Sequence, residues 1–463
     1  MSQQPPNLLF IMTDHQRADS LGMVQSGVEV TPHLNRLASE SKVFTRAYNV
    51  CPLCVPARTS LATGKYPTTH GVVNNDFKGI SAGDHKPIHQ YLSEAGYEVA
   101  HIGVHHIRVK PGLTERVHFA AWFGDEDYGQ YLKAEGLDAA HKGCHAKLRT
   151  EIVRNLDGQP VRKTYSGTET AVWPAAAEHF KDSFFAARAV EFLRAERPRP
   201  FALFVYLWAP HPPLAVPEPY ASRFNPKEIE LPDNVGTPAS GEPPDRRAGV
   251  AGLLAENVSM PHWRRVWAAH LGLVNLADDA IGRVLRALDE AGHADDTLTV
   301  FTVDHGEHLG QHAMYQKMEM YEQAIRVPLI VHRPGTEPHR FDIPVSHLDV
   351  LPTLLDLCGI DRPGDLDGTS LYGSVTSGMP PRQKTVFSMY AGNDRVSDHR
   401  RAVIAGRFKY IYDPEDLPEL YDLETDPLEM HNLAAAEDYA EIRHKLHAEC
   451  RQWGETHGDR IRF

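Results

Sequence analysis

Residues 7–16, NLLFIMTDHQ, decide how the chain folds. An apolar run of about six residues, preceded by prolines and followed at once by an acid, is too short and wrongly flanked for a leader peptide and reads as a buried strand. Three further runs share its texture: EVAHIGV (98–104), FALFVYLWA (201–209) and TLTVFTV (297–303). Each is rich in β-branched or aromatic residues and bounded by turn residues. Segments of helical period lie between them, at Thr31 to Ser41, Pro87 to Ala95, Asp182 to Glu196 and from about Arg264 to Ala291. In the last of these Val266, Leu273, Leu276, Ile281, Val284 and Leu288 form one stripe, and Gly292 supplies a stop. Strands alternating with helices predict an α/β fold, a large mostly parallel sheet sandwiched by helices.

With 463 residues and 42% apolar positions, the chain can bury a substantial core. Its net charge of -13 and the absence of any Lys/Arg block exclude an electrostatic footprint for nucleic acid. No stretch approaches the roughly 20 apolar residues of a membrane helix. The five cysteines, at 51, 54, 144, 358 and 450, are too sparse for a disulfide framework, so a soluble, cytoplasmic protein is expected. From about Trp122 to His179 the chain is polar and weakly periodic, and from His211 to Pro244 it is proline-rich; both read as long surface loops or lids. After one more helix in SHLDVLPTLLDLCGI (346–360), short strands come at TVFSMY, RAVIAG and FKYIY, then a helix from about Asp438 to Glu455. The expected division is a catalytic unit over 1–375 and a smaller antiparallel sheet with a helix over 376–463.

Each of the four strands runs directly into an acid or an imidazole. The first leads into Asp14 and His15, the second into His105 and His106, the third into His211, and the fourth into Asp304 and His305. Ligands of open α/β sheets bind beyond the carboxyl ends of the strands, so these side chains are delivered to one edge. Two aspartates with neighbouring imidazoles favour a divalent cation with a taste for oxygen, Ca²⁺, Mg²⁺ or Mn²⁺. His105, His118 and His312 read as ordinary surface or core histidines.

The stretch NVCPLCVPARTSLATGKYP (49–67) has three readings: a redox pair, half a zinc site, or one special cysteine beside a bystander. Pro56 reads as the first helical residue and Gly64 as the end, which puts Cys54 at or just before a helix N-terminus, where free amides favour anions and lower a thiol's pKa. Arg58 lies one turn on, on the same face. A zinc site needs a second ligand pair and a redox pair needs a small thioredoxin-like setting; the chain has neither, which leaves a nucleophile loop over an anion site.

The run Cys54-Val-Pro56-Ala-Arg58-Thr-Ser-Leu-Ala-Thr-Gly64 resembles the C-x-P-x-R signature of the type I sulfatases of the alkaline-phosphatase-like superfamily. The resemblance spans nearly the whole chain, through DDTLTVFTVDHGEHLGQH and IRVPLIV to ELYDLETDPLEMHNLA. APHPP, DHGEHLG and QKMEMYE are also similar to the phosphonate monoester hydrolases of that fold. The resemblance implies that Cys54 is converted by a separate formylglycine-generating enzyme to formylglycine, whose hydrate carries two geminal hydroxyls: one attacks the ester, and deprotonating the other expels the bound anion. It implies a metal shell of Asp14, Asp304, His305 and residue 54, with His15 as a fifth member where relatives carry Asp or Gln. The ion implied is Ca²⁺ or Mn²⁺. Arg58 would steady the nucleophile, His211 and Lys317 would neutralise charge and supply an acid, His106 would be the base, and Asn75 would contact substrate. Taken alone, Lys317 also fits a solvated helix lysine and Asn75 a turn residue. The sequence departs from many sulfatases at Val104, where they carry a lysine; Arg108 or Lys110 could take its place, or the site holds less positive charge.

The expected function is therefore metal- and formylglycine-dependent hydrolysis of a small anionic sulfate ester. The alternatives are phosphonate monoesters or phosphate diesters, or a catalytically silent binding protein in which Cys54 stays a thiol. Nucleic acid and membrane are excluded as partners, and a homo-oligomer is permitted.

Overall fold

The computed structural model describes residues 5–75, 79–156, 159–197, 199–382, 384–393 and 398–463. The four apolar runs form the middle of a nine-stranded sheet, as Asn7–Thr13, Glu98–Gly103, Phe201–Tyr206 and Thr297–Val303. All four are parallel. Asn7–Thr13 lies between Thr297–Val303 and Phe201–Tyr206, and Glu98–Gly103 flanks the latter. Every residue of the three innermost strands is buried, which is why each reads as an unbroken apolar run rather than an alternation. Among the described strands only Arg326–His332 runs against the rest, inserted between Thr297–Val303 and Lys42–Tyr48. His339–Phe341 and Val345–Ser346 complete that edge, and Ala121–Phe123 completes the other.

The helices Pro32–Ser39, Ile88–Glu94, Lys181–Arg194 and Met260–Glu290 fall where the periodicity placed them. The last begins at Met260 rather than Arg264, because Pro261 in its first turn costs no hydrogen bond. It packs along Lys181–Arg194.

The region from Trp122 to His179 is not the loop expected of it. It holds the helices Asp125–Ala134 and Asp138–Ala146 and an antiparallel pair, Arg149–Leu156 with Gln159–Ser166. The first helix buries only Tyr128 and Leu132 and the second buries nothing, while the paired strands stand largely in solvent. Without a covered face no apolar period is enforced, so the sequence carries little trace of these elements. Residues 211–244 are mostly irregular, apart from the short strand Leu214–Val216 paired with Thr170–Val172.

Toward the C-terminus, Val386–Ala391, His399–Ala405, Phe408–Tyr412 and Glu419–Asp422 form a small antiparallel sheet, covered by the helix Ala440–Thr456. Two buried clusters help to fasten this sheet to the larger unit. Val50, Tyr66 and Leu348 pack with Met389, Ala391 and Trp453. The buried Arg246 guanidinium lies 3.5 Å from both Glu319 and Asp413 and also pairs with Glu419. Among the described residues no helix is long and apolar enough to cross a membrane.

Candidate active site

Register places the acids. Thr13 and Val303 are partners in adjacent parallel strands, so Asp14 and Asp304, one step further along, leave the sheet side by side. Arg58 fills the space between them: Nε donates to Asp304 Oδ2 at 2.8 Å and a terminal nitrogen to Asp14 Oδ2 at 2.7 Å. Its other terminal nitrogen donates to the Val104 carbonyl, and the guanidinium lies 5.7 Å from the Tyr206 ring. Two glycines make these strand exits passable. Gly103 has φ +120°, and a Cβ there would meet the Tyr206 carbonyl oxygen at 1.8 Å; one on Gly306 would meet the Gln323 carbonyl oxygen at 1.9 Å.

Cys54 opens the helix Cys54–Thr63, which Gly64 closes in a left-handed turn, as expected. Its Sγ lies 2.9 Å from Lys317 Nζ, 3.1 Å from His305 Nε2 and 3.8 Å from Asp14 Oδ1. The lowered thiol pKa expected at a helix N-terminus is overturned: burial, reinforced by the Asp14 charge, pushes the thiol up to about 12, and Lys317 and Arg58 only partly oppose this. Cys51 is fully buried, burial raises its thiol as well, and all five cysteines are free, with no disulfide between Cys51 and Cys54.

His305 donates from Nδ1 to the Gly306 carbonyl at 3.1 Å, which turns the Nε2 lone pair toward the sulfur. Burial holds its pKa down at about 3, leaving the neutral ring a ligand requires. Asp14, Cys54, Asp304 and His305 each bring one donor atom within 4.8 Å of the others. Burial and the neighbouring Asp304 charge push the Asp14 carboxyl up to about 7, the mark of crowded negative charge that a cation would relieve. This donor set fits a divalent ion.

His15 is placed differently. It sits at φ +66°, donates from Nδ1 to Glu307 Oε2 at 2.6 Å, and accepts at Nε2 from Lys317 Nζ at 2.7 Å. Its Nε2 lone pair meets the ammonium, and His15 also falls in a second candidate donor cluster, with Asp14, Cys54 and His211, whose donor atoms lie within 4.8 Å of one another.

Above Cys54 a cavity of about 560 Å³ opens, with Asn75, His106, His211, Lys317 and Asn393 in its walls. Lys317 is buried in an irregular stretch between Gln316 and Met318, both at positive φ, and is no solvated helix lysine. Asn75 accepts from the Val55 amide at 3.1 Å and donates to Asn393 Oδ1 at 2.9 Å, more than a turn residue needs. His211 donates from Nδ1 to the Pro212 carbonyl at 2.5 Å and stacks on Trp208 at 3.9 Å between centroids. Neither Arg108 nor Lys110 replaces the missing lysine. Arg108 Nε reaches the Ile80 carbonyl at 3.4 Å, Lys110 is exposed, and neither borders the cavity. His118 is exposed and His312 stacks on Tyr321, ordinary positions as expected.

Two neighbours of the site escaped sequence reasoning. Glu307 lies two residues beyond His305 in DHGEHLG, and the motif itself was the available signal. Asn393 lies just past a strand of the small sheet, and no local pattern foretells that this sheet docks against the cavity.

The family model described as Sulfatase matches residues 6–360. The chain belongs to the sulfatase family. A second model, of the C-terminal part of N-sulphoglucosamine sulphohydrolase, matches residues 310–455 of this sulfatase. An arylsulfatase of Clostridium perfringens is 27% identical, over 98% of this chain and 97% of its own. A multifunctional alkaline phosphatase superfamily protein, PehA of Trinickia caryophylli, is 28% identical, over 98% and 96%. The solved phosphonate monoester hydrolase of Silicibacter pomeroyi superimposes with a TM-score of 0.82 at 25% identity, covering 99% of this chain and 96% of its own. The fold is alkaline-phosphatase-like, and this sulfatase is a sulfate-ester hydrolase of a family that uses a metal ion and a formylglycine.

Proposed function

We propose that this sulfatase hydrolyses a small anionic sulfate ester using formylglycine at position 54, installed by a formylglycine-generating enzyme, and one Ca²⁺ or Mn²⁺ ion held by Asp14, Asp304, His305 and residue 54. The hydrated aldehyde would supply the attacking oxygen, and the ion the Lewis acidity that favours it. The reading rests on one observation above all: the Cys54 sulfur, which stands where the modified side chain's oxygens would sit, is met at 2.9 Å by Lys317 and at 3.1 Å by His305.

The chain's own groups divide the remaining work. Arg58, charged between two carboxylates, fixes Asp14 and Asp304 relative to residue 54. Lys317 keeps its proton despite burial, because Cys54, Asp14 and Asp304 raise its pKa, so it can neutralise the transferred group and protonate the leaving oxygen. His211, committed at Nδ1 to the Pro212 carbonyl, turns Nε2 to the cavity, where a proton gained as the anionic ester binds would let it donate to the transferred group or the leaving oxygen. His106 is held neutral by burial and then by Arg58, and takes a proton from residue 54 as the anion departs. Asn75 holds the Val55 amide and faces the substrate, while His15 with Glu307 aims Lys317. Residues 1–375 serve as the catalytic unit, and 376–463 as a companion that contributes Asn393 to the cavity. Free cysteines suit a reducing, cytoplasmic setting.

Mass spectrometry of the tryptic peptide containing residue 54, after co-expression with the maturation enzyme, tests the mechanism; an unmodified cysteine in active protein sinks it. Val104 in place of the family lysine favours a second reading, phosphonate monoester hydrolysis. A far higher kcat/KM on an aryl phosphonate monoester than on an aryl sulfate, from one preparation, would select it.

A further inference from the structure

Asn393 comes from the small sheet, yet it stands in the wall of the catalytic cavity. One strand carries it there. Val386–Ala391 lies against the residues before Cys54: the Met389 amide donates to the Val50 carbonyl at 2.9 Å, and Met389 and Ala391 pack with Val50. Gly392 then turns the chain at φ +89° and delivers Asn393 opposite Asn75. Two bonds join the pair. The Asn75 amide donates to the Asn393 carbonyl at 2.5 Å, and Asn75 Nδ2 donates to Asn393 Oδ1 at 2.9 Å.

The two ends of a carboxamide are alike in shape, so which end faces which neighbour follows from the partners. Here the Val55 amide decides. Val55 lies in the first turn of Cys54–Thr63, where an amide has no helical acceptor and can only donate; the Asn75 atom 3.1 Å away is therefore the oxygen. Asn75 Nδ2 must then face Asn393, and because that nitrogen only donates, Asn393 meets it with its own oxygen. Asn393 Nδ2 is left toward Met318 Sδ at 3.3 Å, beside Lys317. Each of the two nitrogens carries two hydrogens, and these bonds use one on each. Both side chains border the cavity, so the end that Asn75 can offer a ligand there is fixed as a donor.

We propose that Asn393 is a positioning residue for ester binding: its side-chain oxygen holds the Asn75 carboxamide with the nitrogen toward the cavity, where the remaining N–H donates to an oxygen of the anionic group being transferred. The proposal rests on the ester-hydrolase reading of the same site. A correctly turned amide adds a bond to the anion without adding a charge. The small sheet thereby takes part in substrate recognition, although every group proposed for bond making lies on the larger unit. The oxygen concerned is charged before and during transfer, so the bond acts on KM and leaves kcat nearly unchanged.

Steady-state kinetics of the matured enzyme on 4-nitrophenyl sulfate tests this through the pair. Asn75→Ala and Asn393→Ala should each raise KM about tenfold, the worth of one hydrogen bond to an anion, with kcat within about threefold of wild type. In the Asn393→Ala background, Asn75→Ala should add less than about twofold, since its nitrogen is no longer aimed. In the Asn393→Asp background, which keeps the accepting oxygen, Asn75→Ala should still cost about tenfold. An unchanged KM in Asn393→Ala, a loss that falls on kcat, losses that multiply in the Ala background, or an Asn75→Ala effect that vanishes in the Asp background overturns the proposal. Asn393→Asp is isosteric with the wild-type side chain, so its comparison stands where Asn393→Ala melts early. Failure of the sulfate reading shows separately, as wild-type enzyme that releases no sulfate; the same variants are then compared on the aryl phosphonate monoester, and turnover of neither ester overturns the inference as well.

Discussion

Cys54 borders the substrate cavity, yet its surroundings suppress its chemistry as a thiol. With its pKa pushed up to about 12 by burial and by Asp14, the unmodified side chain stays protonated throughout the neutral range. Folded protein that escaped maturation should therefore resist iodoacetamide at pH 8 at Cys54, while the same peptide alkylates readily in urea; peptide mapping reads the difference. Cys54→Ala should abolish aryl sulfate turnover, whereas Cys51→Ser should retain it within about threefold, since Cys51 contacts only the packed interior. Glu307 makes a third case. It touches neither the sulfur nor the expected ion, yet it holds the His15 ring against Lys317. Glu307→Ala should lower kcat about tenfold, and Glu307→Gln, which keeps an acceptor, should recover most of it, as expected of a positioning group.

Between elements, the decisive joint is the one that presents His211. Asp182, on Lys181–Arg194, accepts from the Trp208 and Ala209 amides at 2.8 and 2.9 Å through a single oxygen; its other oxygen is unpaired. Burial pushes this carboxyl up to about 6 despite those bonds and the nearby Lys181. The folded form thus binds a proton more tightly than the unfolded chain, and the fold loses stability as pH rises from about 4 to about 6. Asp182→Asn keeps the accepting oxygen without the charge, so its melting temperature should gain on wild type between pH 4.5 and pH 7.5. A gap that stays constant or shrinks would contradict this. Legibility also differs by element. Strands buried on both faces, such as Phe201–Tyr206, are written in the sequence as runs, and the Cys54 helix as Pro56 and Gly64. Arg149–Leu156 and Gln159–Ser166 are not, because among their described residues only Ile152 and Ser166 are buried, too few to impose a pattern.

Across the whole molecule, the small sheet acts as part of the site. Arg246 joins Glu319, two residues from Lys317, to Glu419 of the small sheet, and Arg400 meets Glu319 at 3.2 Å. Removing one partner from such a buried network leaves charge uncompensated, so Arg246→Ala should cost about 3–5 kcal/mol, read as a fall in the urea midpoint. A fragment spanning residues 1–375 should fail to give a cooperative melt, since Val50, Tyr66 and Leu348 would lose Met389, Ala391 and Trp453. The acids and histidines at the strand ends were legible because each adjoins its own strand. Arg246 and Asn393 were not, because their meaning depends on which distant surfaces meet.

Gly103 and Gly306 give this a wider consequence. At both, the first carbon of any other side chain would collide with a carbonyl oxygen less than 2 Å away. A saturation library of this gene, scored by growth or turnover, should show these two codons as intolerant as that of Asp14, although neither takes part in any bond-making step. Ranking positions by tolerance alone would credit them with chemistry; what they supply is the clearance that lets the reactive side chains stand together.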